Sequence, residues 1–341
     1  MRPVRNGPGL AARPGTCNRA ASMSLLAGYR ASLKPLDVEE PIDVFVHRPL
    51  GYVFARLAFP TPLSPDVVTL MSIFAGIAAG VCVVVEFRFH MQVGGLLLFA
   101  SAVLDCADGQ LARMRKSSSP FGRMIDGVAD LITTSAAVPA ALWALWRMYD
   151  SPPWLGGTVV ALGTLTVVTS SFHTTMYDHY KNVFVRLTSS QYKEGEDYET
   201  ALDRWQATHR ELSWWKRMAW RIYLFYIKSG ADFVHKFDPY TSARINLFPA
   251  YDPRLAAIYK KHVGPVMRVW RSVMGFGSMI FGLALFLALE RPDIYLAIRL
   301  LLLNGVFYLY LRPHQRRASK AAFEEMDLHL PDQAKEKHSP A

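Results

Sequence analysis

Four aspartates in two short stretches are the residues best placed to do chemistry. Asp105 and Asp108 stand three apart within 104–113, and Asp126 and Asp130 stand four apart within 122–130. On a helix each spacing puts its pair on one face. If two adjacent antiparallel helices carry these stretches, all four carboxylates can converge on one point. Like charges so close repel and raise one another's pKa, so a cation must sit among them. No His or Cys is suitably spaced, and an all-oxygen donor set selects Mg2+ or Mn2+ over zinc. Three to four carboxylates can hold two such ions, an arrangement suited to displacement at phosphorus. Gly109, Ala112 and Gly122 lie on or beside the same faces and leave room for a bulky ligand, while Arg113 offers a planar fork for phosphate oxygens. A small-residue helix contact with one Arg113–Asp ion pair would account for the glycines and the alanine, but not for four aspartates.

The elements that must position these residues are membrane spans. The chain has 341 residues, 51% hydrophobic and only 19% charged. The apolar residues cluster into runs long enough to cross a hydrocarbon core of roughly 30 Å. That excludes an ordinary soluble enzyme and a disordered chain. Cys17, Cys82 and Cys106 are odd in number and widely spaced, which excludes a disulfide framework and a zinc site. Six spans are predicted, at 67–87, 93–111, 125–148, 155–176, 269–289 and 295–311. Of the 38 Lys and Arg residues, 33 lie on one side of these spans; Arg88, Arg147 and Arg291 lie on the other, and Arg271 and Arg299 fall inside the fifth and sixth. The positive-inside rule makes that side, with both termini, cytoplasmic. The net charge of +10 therefore reflects topology, not nucleic-acid binding.

Between the spans, residues 45–57 carry Phe45, Leu50, Val53, Phe54 and Leu57 near helical period, with His47, Arg48 and Arg56 elsewhere. They predict an amphipathic helix, either lying on the cytoplasmic interface or packed as a short soluble helix on the bundle. Residues 177–265 form a polar insertion with an acidic patch at 194–199 and a Trp/basic cluster at 214–221 that has the composition of an interfacial helix. The domain plan is an extension over 1–36, a first unit over 37–176, the insertion, the last two spans over 266–312 and a tail over 313–341. The first 22 residues read either as disordered or as an extension ahead of a start at Met23.

The motif Asp105-x-x-Asp108-Gly109-x-x-Ala112-Arg113, eight residues, then Gly122-x-x-x-Asp126-x-x-x-Asp130, resembles the full signature of the CDP-alcohol phosphotransferases, matching at all eight fixed positions. Pro65-Asp66-Val67-Val68-Thr69 resembles the family's Pro-Asn-x-x-Thr element, with Asp66 in the Asn place. The resemblance implies an all-α, polytopic membrane enzyme of phospholipid synthesis, with six spans after an interfacial helix, acting as a homodimer. It implies Asp105, Asp108 and Asp126 as the main metal ligands, with Asp130 near a second Mg2+ or Mn2+ ion and acting as general base on the acceptor hydroxyl. Gly109, Ala112, Arg113 and Gly122 would line the CDP pocket, and Thr69 would touch the nucleotide. The reaction implied is transfer of a substituted phosphate from a CDP-linked donor to an alcohol, with release of CMP.

The family has two halves, and local resemblances divide between them. Ser117-Ser118-Ser119-Pro120-Phe121-Gly122 looks like the choline/ethanolamine phosphotransferases, which pass a headgroup from CDP-choline or CDP-ethanolamine to diacylglycerol. Ala129-Asp130-Leu131 with Val138-Pro139-Ala140 is closer to the phosphatidylserine synthases, which use CDP-diacylglycerol, the favoured donor. Leu131 stands where the inositol-phosphate branch often has Arg. Two other classes are consistent with intramembrane carboxylates: a cation transporter, opposed by acids crowded at one end of the spans, and a catalytically dead scaffold, opposed by the intact signature. Arg299, two turns into the sixth span, could snorkel, pair with an acid or bind a lipid phosphate; a structural role is favoured. His173, Asp178 and His179 stand at the cytoplasmic edge of the fourth span and could approach the acceptor headgroup, although the interface tolerates such residues and a role outside the site is favoured; Cys106 is expected to face a neighbouring helix. Compact spans and Ala/Arg-rich usage suggest a bacterial inner membrane.

Overall fold

The computed structural model describes Tyr29 and residues 37–117, 120–190, 198–210, 212–248 and 251–329. The expectation for residues 1–36 falls outside these apart from Tyr29, as does most of the acidic patch. Among the described residues every element is helical. Six helices are long and apolar enough to cross a membrane: Pro65–Val85, His90–Met114, Gly127–Met148, Pro153–Thr188, Pro253–Ala288 and Pro292–Asp327. Each overlaps one predicted span. The last three have 36 residues each, about 54 Å if straight, so they project well beyond a ~30 Å core.

In chain order the helices are α1 (Arg48–Ala58), α2 (Pro65–Val85), α3 (His90–Met114), α4 (Pro120–Met148), α5 (Pro153–Thr188), α6 (Tyr198–Thr208), α7 (Trp214–Phe237), α8 (Pro239–Arg244), α9 (Pro253–Val273), α10 (Phe276–Ala288), α11 (Pro292–Ala297) and α12 (Arg312–Asp327). The fifth span is composite, with α9 handing over to α10 at Met274 and Gly275. The sixth runs from α11 through two π-helical stretches into α12. Starts are set by local chemistry. Ser64 accepts from the Val67 amide ahead of Pro65, and Asp252 accepts from the Arg254 and Leu255 amides around Pro253.

Small residues bring α2, α3, α4 and α10 into backbone contact. A Cβ added at Gly80 would stand 2.6 Å from the Ala136 carbonyl oxygen of α4, and one at Gly95 would stand 2.5 Å from the Ala284 carbonyl oxygen of α10. Gly94 faces α2, where Ala79 and Val83 lie. α3 is thus clasped between α2 and α10, the close packing that small residues permit within a bilayer. A second core joins the far half of α5 (Met176, Tyr180, Phe184) to α9 (Tyr259, Met267, Trp270) and α12 (Phe323, Met326).

The segment before α2 resolves the choice left open by its sequence. Phe45, Leu50, Val53 and Leu57 are exposed, whereas His47 and Arg48 are buried at 1% and 7% exposure. A soluble helix on a bundle would point its apolar face inward; this one points it outward, the arrangement of an interfacial helix. Arg115, capping α3, ties the following turn by donating to the carbonyls of Ala58, Phe59, Thr61 and Leu63 at 2.6 to 3.1 Å. In α7, Trp214, Met218 and Phe225 form an exposed stripe that also includes Arg221.

Candidate active site

The last turns of α3 and the first half of α4 meet one cleft of about 970 Å³, its open mouth included. Asp105, Asp108, Gly109 and Arg113 line it from α3, and Asp130 with Thr133 from α4. Three of the four predicted carboxylates therefore share a cavity. Gly122 stands in the first turn of α4, and Asp126 is one helical turn from Asp130 on the same side of that helix, but the side chains at 121–126 lie outside what the structure describes. Among the described residues no three acidic, His or Cys groups are gathered tightly enough to hold an ion.

Asp108 is 6% exposed and accepts a 2.5 Å hydrogen bond from the Thr69 hydroxyl of α2. Thr69 does not line the cleft; it orients a residue that does. The chain of hydroxyls continues as Ser72 donates to the Thr69 carbonyl at 2.8 Å and Ser101 to the Ser72 carbonyl at 2.7 Å. Arg113 folds back over Gly109, where an added Cβ would stand 3.4 Å from the guanidinium. Ala112 is half-buried beside them but is not among the cleft residues. Cys106, expected to face a neighbouring helix, lines the cleft.

The opposite wall was not anticipated. It comes from Glu40, Asp43 and His47 ahead of α1, from Arg48 at the start of α1, and from Phe276 and Gly277 at the start of α10. The Glu40 carboxylate accepts from the Ser278 amide at 2.8 Å, the Ser278 hydroxyl at 2.9 Å and the Gly277 amide at 3.3 Å, so it sits on the positive end of α10. Burial, then the charge of Asp43, nevertheless push its pKa up to about 7. Arg48 is ion-paired with Glu39 at 3.0 Å, and His47 Nδ1 lies 2.9 Å from Asp43 Oδ1. The sequence signal for this wall was His47 and Arg48 on the polar face of an amphipathic helix, a pattern that does not say which way that face turns.

The other weighed residues lie elsewhere. His173 is 1% exposed and packs its ring 4.5 Å from that of Phe307. Asp178 pairs with Lys181 at 2.6 Å. None of the three lines the cleft.

Comparison with known proteins places this geometry in context. Residues 63–188 match the family described as CDP-alcohol phosphatidyltransferase. A phosphatidylinositol phosphate synthase of Corynebacterium glutamicum is 33% identical over 98 residues, 29% of this chain and 44% of that protein. A bifunctional IPC transferase and DIPP synthase of Rubrobacter xylanophilus is 37% identical over 109 residues, 32% of this chain and 23% of that protein. A second phosphatidylinositol phosphate synthase, from Mycobacteroides abscessus, is 26% identical over 126 residues, 37% of this chain and 52% of its own. The chain thus spans about half or less of the length of the curated relatives it matches. The matched region contains α2, α3, α4 and all of α5, hence every residue of the aspartate motif, so residues 63–188 are the part of this chain that carries the likeness to the CDP-alcohol phosphatidyltransferase family.

Proposed function

We propose that this protein transfers a substituted phosphate group from a CDP-linked donor to an alcohol hydroxyl and releases CMP, as a step in phospholipid synthesis. The observation that carries the reading is the convergence of Asp105, Asp108, Asp130, Gly109 and Arg113 on one cleft within the family-matched region. The donor set fits a hard divalent cation: the fixed acidic positions of the motif are all carboxylates, and Cys106 and His47, which also line the cleft, are not among its fixed positions. Asp105, Asp108, Asp126 and Asp130 are the residues that would hold Mg2+ or Mn2+, which when bound would neutralise the diphosphate and ease departure of CMP.

The chain's own residues supply the rest. Arg113, lying over Gly109, presents its guanidinium to phosphate oxygens from the α3 side. Thr69 fixes the rotamer of Asp108 from outside the cleft. Asp130 faces the cleft from α4 and accepts the proton of the acceptor hydroxyl, converting a poor nucleophile into an alkoxide-like one. Gly109, Ala112 and Gly122 keep the helix surfaces low enough for the nucleotide to approach.

CDP-diacylglycerol is the favoured donor, and the relatives named phosphatidylinositol phosphate synthase support a phosphatidyl transfer. Their name also puts inositol phosphate among the acceptors to test, despite Leu131. Both termini are assigned to the cytoplasmic side by the Lys/Arg distribution, in a bacterial inner membrane, with the chain acting as a homodimer. The test is CMP release by the detergent-purified chain with Mg2+ or Mn2+. One arm supplies CDP-diacylglycerol with serine, glycerol 3-phosphate, inositol or inositol phosphate; the other supplies CDP-choline or CDP-ethanolamine with diacylglycerol. Metal-dependent CMP in the first arm alone supports the reading; CMP in the second alone reassigns the donor. No CMP in either removes the reaction.

A further inference from the structure

Arg299 belongs to the sixth span and is 2% exposed, so it does not snorkel to an interface. Its Nε donates to the Ser170 hydroxyl of α5 at 3.0 Å, and it also bonds Tyr295, while its Nη2 atom has no partner. Among the described residues no carboxylate pairs with it. A guanidinium keeps its charge, and an uncompensated charge in apolar surroundings is strongly disfavoured. The neighbourhood calls for an anion that the chain itself does not provide.

Arg299 borders a recess of about 660 Å³, its open mouth included, between α4, α5, α10 and α11. Beside it stand Thr134, whose buried hydroxyl has no partner, and Ser170, whose hydroxyl proton is uncommitted while its oxygen accepts from Arg299. All three groups can donate, so they suit a head that only accepts. The rest of the lining is apolar, including Val138, Leu142, Leu145, Val167 and Leu296. Ile280 lines both this recess and the aspartate cleft, but none of the four aspartates lines the recess.

We propose that the recess binds an amphiphilic anion, its carboxylate or phosphate head on Arg299, Thr134 and Ser170 and its acyl chain along the apolar walls. The site does not depend on the reaction proposed above. It can be tested on the full chain, stripped of lipid in dodecyl maltoside, by thermal unfolding with sodium oleate, oleoyl lysophosphatidate, uncharged monoolein or inorganic phosphate. Oleate or the lysophosphatidate is expected to raise Tm, and their relative potency identifies the head; monoolein and phosphate alone should have little effect. R299Q should raise the anion concentration needed by tenfold or more, and so should L296W, which fills the recess without removing the charge. If R299Q fails to fold, L296W alone decides. The proposal is overturned if the wild-type protein does not respond, if monoolein or phosphate alone matches the acyl anions, or if the folded variants respond as the wild type does.

Discussion

Thr69 of α2 holds Asp108 of α3 through a 2.5 Å hydrogen bond in which both side chains are buried. The hydroxyl has one proton, and this bond is shorter than its 3.2 Å contact with the Pro65 carbonyl, so the carboxylate is its main acceptor. A carboxylate fixed in this way presents its remaining lone pairs in a defined direction. Partners that orient a metal ligand usually change affinity by 10- to 100-fold when removed. T69V should therefore raise the Mn2+ concentration for half-maximal CMP release about tenfold, with T69S close to wild type. A rise in KM for the CDP donor at unchanged metal dependence would instead make Thr69 the nucleotide contact suggested by its motif.

Asp130 is the carboxylate on the α4 wall and the proposed proton acceptor. D130N keeps size and shape while removing basicity. CMP release should fall by about 10²–10⁴, with Tm within a few degrees of wild type. Activity above a tenth of wild type would move the base elsewhere in the cleft.

Glu40 predicts how stability depends on pH. Its folded pKa, raised to about 7 first by burial and then by Asp43, exceeds its ordinary value of 4.5, so the folded state holds the proton more tightly than the unfolded one. Its contribution is fully present below pH 4.5 and is lost as pH rises through about 7. At about 1.4 kcal/mol per unit, the swing is on the order of 3 kcal/mol. Denaturation in detergent should show E40Q gaining on wild type between pH 5 and 8. Parallel curves for the two proteins across that range would contradict the assignment.

Gly95 and Gly264 make a matched pair of substitutions. A Cβ at Gly95 would stand 2.5 Å from one backbone atom of α10 and 2.6 Å from another, whereas one at Gly264 would meet nothing within 4 Å beyond its own stretch of helix. Overpacking typically costs about 1–3 kcal/mol, so G95A should lower Tm. G264A, in the interior of α9, should cost less than G95A, because only the adjacent Pro265 ring crowds an added Cβ there. Equal effects would mean that α3 and α10 can separate without loss.

The spans and the aspartate motif were legible because both rest on local rules. Runs of apolar residues report bilayer crossing, and i,i+3 or i,i+4 spacing reports a shared helix face. That is enough to bring Asp105, Asp108 and Asp130 to one cleft. The wall formed by Glu40, Asp43 and His47 was not legible, because the contact from Glu40 to Ser278 joins residues 238 positions apart and leaves no periodic trace. The amphipathic pattern around His47 and Arg48 gave the right helix but not which side faced the protein. Arg299 could be seen as unusual in an apolar run, yet its surroundings depend on how α5 and α11 pack. The long outer reaches of α5, α9 and α12 were likewise hidden, since polar residues there conceal helices that continue past the bilayer.

The helix that turns Phe45, Leu50, Val53 and Leu57 outward also turns His47 and Arg48 into the cleft. One short element thus floats on the lipid and walls the chamber at the same time. Whatever depth its greasy side adopts sets the height of the carboxylates relative to the headgroup plane. A lipid-borne substrate then meets the reacting groups by drifting sideways, and a water-soluble one by descending from above. Changing those four side chains should retune the meeting height without touching any residue that binds either substrate.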